Sequence, residues 1–275
     1  MELGLEGLFD LHIHGGPDVR PRKLTSTEVV RRAKEAGMAG VLLKCHVSPT
    51  AILAANLQEA IGGIRVFGCL CLNVEVGGLN PDAVQAAIAM GAKEIWMPTF
   101  SGESFRIFHG KPGTGIRITD KRGNLFPAVE EILAEVAKAG VILGTGHVLK
   151  EEIIPLVKRA REVGVKRVLV THPDIYFLRF PLDLQLELTR FDVFFERCAV
   201  SPQRPTIESD LKEMAHNIRQ VGWDRNILTT DYGQPDNPYP AEGLMHFMEG
   251  LNRHGITEKE LDVMVRKNPG RLVGV

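Results

Sequence analysis

Eight times along 275 residues, a short apolar run is followed by a longer segment of helical periodicity, and this alternation constrains the chain more than any other feature. The strand-like runs are Phe9–His14, Gly40–Val47, Arg65–Asn73, Glu94–Phe100, Val141–Val148, Arg167–His172, Val193–Ala199 and Asn226–Asp231. The helical segments between and after them are Thr25–Gly37, Pro49–Ala60, Asn80–Gly91, Ala128–Gly140, Lys150–Gly164, Leu182–Arg190, Ile207–Val221 and Ala241–His254, with a short terminal helix at Glu258–Arg266. Strict alternation makes the strands parallel with helices outside them, and eight units imply closure into a barrel. A doubly wound open sheet is the competing architecture, but no Gly-x-Gly-x-x-Gly turn follows the first strand. The expectation is a single α/β domain over 1–275, a (β/α)8 TIM barrel, the fold for which ~250 residues is typical. One connection, Ser101–Leu125, is too long for an ordinary loop and carries five glycines. It is expected to hold a hairpin, Gly115–Thr119 turning through Asp120–Gly123, and to act as a lid.

Catalytic groups in such barrels sit where the strands end. In the first run Phe9, Leu11 and Ile13 alternate with Asp10, His12 and His14, so a period of two puts both imidazoles on one face. Gly15-Gly16-Pro17 ends that strand and leaves the histidines at its tip. Strand two ends in Lys44 and His46, strand five in Thr145-Gly146-His147, strand six in Thr171-His172-Pro173 and strand eight in Thr229-Thr230-Asp231. Parity groups Val168 and Val170 with His172, and Ile227 and Thr229 with Asp231. A single histidine in such a run is better explained by the core than by a ligand, whereas agreement between several strand ends points to one cation site. No helix starts directly after Asp231, since Tyr232–Pro240 holds three prolines and a glycine, so a helix-capping role for it is disfavoured. Arg20, Arg22, Lys23, Arg106, Lys111 and Arg179 follow strand ends and are candidates for holding an anionic substrate group, with Arg20, Arg179 and Lys44 foremost.

The net charge of -1, with both signs interspersed, gives no basic face for nucleic acid. No apolar run approaches ~20 residues, and Met1–Phe9 lacks the basic and apolar regions of a secretory leader, so a soluble cytoplasmic protein is expected. Cys45, Cys69, Cys71 and Cys198 read as small buried hydrophobes rather than disulfides, and no second cysteine pair completes a zinc site around Cys69-x-Cys71. The expected partner is a small, possibly anionic molecule, with homo-oligomerisation open.

On these residues the chain resembles the amidohydrolase superfamily of metal-dependent barrel hydrolases. Its pattern, His-x-His on strand one, one histidine each on strands five and six and an aspartate on strand eight, falls on His12, His14, His147, His172 and Asp231. The ending Asn268-Pro269-Gly270-Arg271-Leu272 is similar to that family's last turn, and the His-Gly-Gly-Pro-Asp opening and Thr-Gly-His are closest to an uncharacterised subfamily. The resemblance implies one or two divalent ions, zinc first and manganese or iron as alternatives, held by these residues with His46 as a further candidate. It implies hydrolysis of a C–N or C–O bond in a cyclic amide, lactone or similar small molecule, with Asp231 as base and His172 binding metal or polarising a carbonyl. A mononuclear decarboxylase, a phosphoesterase of the related His-x-His barrels and a non-catalytic metal-retaining barrel are the alternatives. One departure stands out: strand four, Glu94–Phe100, has no lysine or glutamate at its tip to bridge two metals. Glu94 is expected at the opposite end, so Lys44, if carboxylated, or more weakly Glu75 or Glu196, would have to replace the bridge, and a mononuclear site is the default.

Overall fold

The computed structural model describes residues 4–200 and 208–275. Eight strands, β1 (Phe9–Ile13), β2 (Gly40–Leu43), β3 (Arg65–Cys71), β4 (Glu94–Trp96), β5 (Ile142–Gly144), β6 (Val168–Val170), β7 (Phe194–Cys198) and β8 (Asn226–Thr229), form one parallel sheet in sequence order. The ring closes just beyond β1 and β8, where the Asp231 N–H donates to the His12 carbonyl and the His14 N–H to that of Tyr232, both at 2.8 Å. The protein is therefore a (β/α)8 TIM barrel, as the alternation predicts.

The helices are α1 (Ser26–Glu35), α2 (Ala51–Ile61), α3 (Pro81–Ala89), α4 (Glu103–Phe108), α5 (Pro127–Ala139), α6 (Lys150–Glu162), α7 (Leu182–Leu188), α8 (Glu208–Val221), α9 (Pro240–Arg253), α10 (Glu258–Asp262) and α11 (Asn268–Val273). Ile207, the expected first residue of the seventh helix, lies outside the described residues. Local chemistry explains several starts: Thr25 and Glu28 cap α1 reciprocally, and Asn80 accepts the Ala83 N–H ahead of Pro81 in α3. The terminal helix runs on through a π turn, Val263–Lys267, into α11, whose Leu272 and Val273 join the residues filling the barrel. Among the described residues no helix is long and apolar enough to cross a membrane. The four cysteines are free thiols, three of them buried.

The strands are shorter than the apolar runs predict. β2 stops at Leu43 rather than Val47, β4 at Trp96 rather than Phe100, and β5 at Gly144 rather than Val148. Past those points single backbone bonds to the neighbouring strand persist, as from the Met97 N–H to the Gly144 carbonyl at 2.9 Å, and side chains take other groups, as where the Thr50 hydroxyl donates to the Leu43 carbonyl at 2.6 Å.

Two parity arguments are corrected. Phe9 and Leu11 point into the barrel with Leu42, Phe67, Trp96, Leu169 and Ile227, but Ile13 packs outward with Val29 and Val41. A β-bulge causes the switch: β1 advances from Asp10 to Ile13 while β2 advances only from Val41 to Leu43. On β6, Val168 and Val170 face the helices and Leu169 faces inward, so strict alternation would point His172 outward. It turns inward because its backbone enters the positive-φ region, at φ 20°.

The loop after β4 contains the unexpected helix α4 and a parallel bridge, Gly102 to Ile116. It makes the expected turn through Asp120–Gly123: Thr119 and Leu125 form an antiparallel bridge, the Asp120 N–H donates to the Asn124 carbonyl at 2.8 Å, and the Phe126 N–H donates to the Ile118 carbonyl at 3.0 Å. Carboxylates take the backbone donors that a partner strand would have used. Glu103 accepts the N–H groups of Gly113 (2.6 Å) and Gly115 (2.8 Å), and buried Glu152 accepts those of Ile118 (3.0 Å) and Thr119 (3.1 Å).

Candidate metal centre

Five of the predicted side chains converge at the barrel mouth. Asp231 Oδ1 lies 2.9 Å from His12 Nε2 and 3.0 Å from His14 Nε2, joining β1 to the end of β8. Across the mouth, His147 Nε2 and His172 Nε2 approach to 3.2 Å, and the His172 ring stacks 6.0 Å from that of His12. Each group is aimed by its surroundings. The bulge turns both strand-one histidines inward, and the Lys44 carbonyl fixes His14 through Nδ1 at 2.9 Å. His147 is delivered by Gly146 (φ 60°), where a Cβ would collide with the Met97 carbonyl. Asp231 also lies at positive φ, 53°, so its inward aim owes as much to the kinked backbone as to strand parity.

Glu196, on β7, has a different place from the bridging role considered for it. Its Oε1 accepts from His12 Nδ1 at 3.0 Å and its Oε2 accepts the His172 N–H at 3.3 Å. A carboxylate behind one ring nitrogen fixes the tautomer and leaves the other nitrogen to face a cation. Lys44 enters from β2, with Nζ 3.0 Å from His12 Nε2 and 3.4 Å above the centre of the Trp96 ring. Cys198 lies close by: with His12 and Asp231 it forms a set whose potential ligand atoms all fall within 4.8 Å. Its Sγ contacts the Thr229 hydroxyl at 3.2 Å, and burial beside Glu196 and Asp231 holds its thiol well above the ordinary range, which disfavours the thiolate.

The electrostatics divide the histidines. Burial lowers His14 to about 3 and His172 to about 4, and holds His46 and His147 well below the ordinary value, so these rings are neutral. At His12 burial also opposes charge, but Asp231, helped by Glu196 and opposed by Lys44, raises its pKa to about 9. Burial resists ionisation of Asp231, yet His12 and His14 hold it well below the ordinary carboxylate range.

Three observations show that this donor set fits a divalent ion. Nε2 of His12 has both the Asp231 oxygen and the Lys44 amino group within 3.0 Å, and one nitrogen cannot donate to the first while accepting from the second. The Nε2 atoms of His147 and His172 face each other, so at most one carries a proton. The Nδ1 atoms of both rings are buried with no hydrogen-bond partner. A cation among these atoms would satisfy lone pairs that the protein alone leaves competing.

Above the cluster lies a cavity of about 460 Å³ that includes His14, Lys44, His46, His147, His172 and Asp231 in its lining. His46 stands beside the ligand cluster rather than within its hydrogen bonds: Nδ1 meets the Thr99 hydroxyl at 2.8 Å, and the ring stacks between His14 and Phe100. Arg20 lines the cavity, its guanidinium 3.9 Å above the Phe100 ring. Arg179 does not: it is exposed and paired with Glu213 at 2.6 Å, because the positive-φ backbone of its loop turns it away. Glu75 is exposed on a single turn, Val74–Val76, and Glu94, expected at the far end, is fully buried inside the barrel. The sequence reading missed the aromatic wall. Phe105 comes from α4, and Tyr176 and Phe177 come from the loop after β6, where Phe177 meets Phe105 at 5.5 Å and His147 at 4.8 Å. Three aromatic residues near long loops on the catalytic side were the available signal.

The barrel has counterparts among solved structures. The fold is similar to an amidohydrolase from Pseudomonas aeruginosa (TM-score 0.69, 12% identity, 98% of this chain and 95% of that one). It is also similar to the phosphotriesterase homology protein of Escherichia coli, solved with phosphate in its active site (TM-score 0.64, 17% identity, 98% and 100% covered). A third likeness is to 2,6-dihydroxybenzoate decarboxylase (TM-score 0.59, 14% identity, 98% and 100% covered). No curated protein matches the sequence. The chain itself belongs to DUF6282, a family of unknown function, whose family model matches residues 7–196.

Proposed function

We propose that the protein is a metal-dependent hydrolase acting on a C–N or C–O bond of a small molecule such as a cyclic amide or lactone. The observation that carries this reading is the convergence of His12, His14, His147, His172 and Asp231 beneath one cavity, with an ionised carboxylate facing into it. A divalent ion held by these residues would supply Lewis acidity and would lower the pKa of a water from 15.7 to about 7. Asp231 uses Oδ1 for both histidine contacts, so Oδ2 is left to take the proton from the attacking water and return it to the leaving group. Glu196 holds the Nδ1 proton of His12, which keeps Nε2 turned to the cluster. Lys44 places a buried donor beside the same atom, where it can hold a substrate oxygen. With that amino group filling the edge of the cluster and no acidic group at the tip of β4, the arrangement favours one ion over two. The aromatic wall gives the reacting bond an apolar flank.

The likeness to a decarboxylase keeps that reaction as a second reading, since it could use the same ligands. Two measurements test the proposal. Elemental analysis should find about one divalent ion per chain in the purified protein, and little in the His12→Ala, His14→Ala double variant. Against a panel of lactones and cyclic amides the protein should release titratable acid or amine. Carbon dioxide from ring acids, with no hydrolysis, would establish the decarboxylase instead, and equal metal in both proteins would refute the site.

A further inference from the structure

We propose that the cavity takes a planar ring bearing a carboxylate, with the carboxylate held by Arg20 at the mouth and the opposite edge of the ring turned to the ligand cluster. This deepens the hydrolase reading and rests on it. Charge is the first support. Arg20 and Arg22 both line the cavity, but Asp18 serves only one of them: its Oδ2 lies 2.7 Å from Nη2 and 2.8 Å from Nε of Arg22. To Arg20, Asp18 offers only a long backbone contact, at 3.4 Å. Among the described residues no carboxylate pairs with the Arg20 guanidinium, which instead lies over Phe100. A ring face satisfies charge without consuming N–H donors, so the donors of Arg20 remain for a ligand. Partial burial and the neighbouring Arg22 already lower its pKa, and an anion would relieve both effects.

Position is the second support. His14, His46, Phe100 and Arg20 form a continuous stack with spacings of 4.8, 3.6 and 3.9 Å. Arg20 is thus three stacking steps from a cluster histidine, a span suited to one six-membered ring with a polar group at each end. The third support is the wall formed by Phe105, Ile175, Tyr176, Phe177 and Val200, which offers largely apolar surface with the Tyr176 hydroxyl as its single side-chain polar group, a poor match for a sugar-like face. A carboxylate, rather than a phosphate, matches a single uncompensated guanidinium, because two oxygens meet its two-pronged edge and one charge balances one charge.

The test uses the full-length protein stripped of metal with a chelator, so that binding is read without the proposed ion or any turnover. Titration calorimetry compares benzoate with benzamide, acetate and phenyl phosphate. Benzoate should bind at least about tenfold more tightly than benzamide or acetate, as a charge-assisted contact and a buried ring each warrant. Arg20→Gln should remove that preference over benzamide, Arg20→Lys should keep part of it, and the surface variant Arg179→Gln should leave it unchanged. Benzoate binding no better than benzamide, a preference that survives Arg20→Gln, or tighter binding of phenyl phosphate overturns the inference. The hydrolase reading fails separately, on metal content and product release.

Discussion

Glu94 gives the sharpest test of how this barrel is packed. Its carboxyl is fully buried, and neither oxygen has a hydrogen-bond partner. It lies so close to β5 that a Cβ added at Gly144 would sit 2.6 Å from its Oε1. Burial, with Glu196 and Cys69 adding to it and Lys44 opposing, pushes its pKa well above the ordinary 4.5. The side chain is therefore a neutral acid with unmet bonding capacity, the kind of group whose desolvation costs about 1–3 kcal/mol. Glu94→Met retains the length of the chain and removes the polar atoms, so stability should rise by roughly that amount. At ~2.1 cal/mol/K of unfolding entropy per residue, a chain of 275 residues gains about 2 °C in Tm per kcal/mol, which predicts a rise of ~2–5 °C. The gain should also depend on pH. Below the ordinary pKa the group is protonated in both states, and only its burial matters. Above 4.5 the unfolded chain releases a proton that the folded chain keeps, so parent stability falls with rising pH until the folded pKa is passed. Urea unfolding at pH 4.5, 6 and 8 should thus show the advantage of the variant widening upward. A variant less stable than the parent, or an advantage that does not change with pH, would show that the carboxyl is paired and ionised and that the reasoning is wrong.

Two further outcomes follow from the site and its surrounding loop. Asp231→Asn should keep the fold and the bound metal while turnover falls by ~10² to 10⁴ in steady-state assays, and an unchanged rate would remove Asp231 from the role of base. Glu152→Ala should cost about 2–3 kcal/mol, since charged acceptors make the stronger hydrogen bonds, and amides 118–119 should exchange faster with deuterium while the barrel strands do not. Unchanged exchange at those two positions would mean that the carboxylate does not hold the loop.

How much the sequence revealed differs from element to element. The eight strands and their order are written in apolar runs separated by helical periods, because burial on both faces of a parallel strand leaves no other pattern. The site residues stand out by type and place, since His12, His14, His147, His172 and Asp231 all fall at carboxyl ends. Their orientation was less legible. The bulge in β1 and the positive φ of His172 each reverse a face that counting by twos would assign, and neither needs a glycine to announce it. The reach of a long side chain from a loop was least legible. Arg20 and Arg179 look alike in sequence, and only Asp18, Phe100 and Glu213 decide which of them faces the cavity. Helix α4 was hidden for a similar reason: its loop is rich in glycine, and Glu103 compensates from within the segment by accepting the backbone donors.

The seam between β1 and β8 has a consequence for how the protein comes into being. During synthesis the carboxylate that meets His12 and His14 emerges more than two hundred residues after them. Contacts of such sequence separation form slowly, because the loop they close is nearly the whole chain. Until Asp231 emerges the four cluster histidines lack its carboxylate, and the backbone bonds that join residues 231 and 232 to residues 12 and 14 shut the ring as they bring that carboxylate to His12 and His14. A chain cut before residue 231 is left with an open edge at β1 and without the carboxylate that meets His12 and His14, so ring closure and assembly of the cluster are a single event.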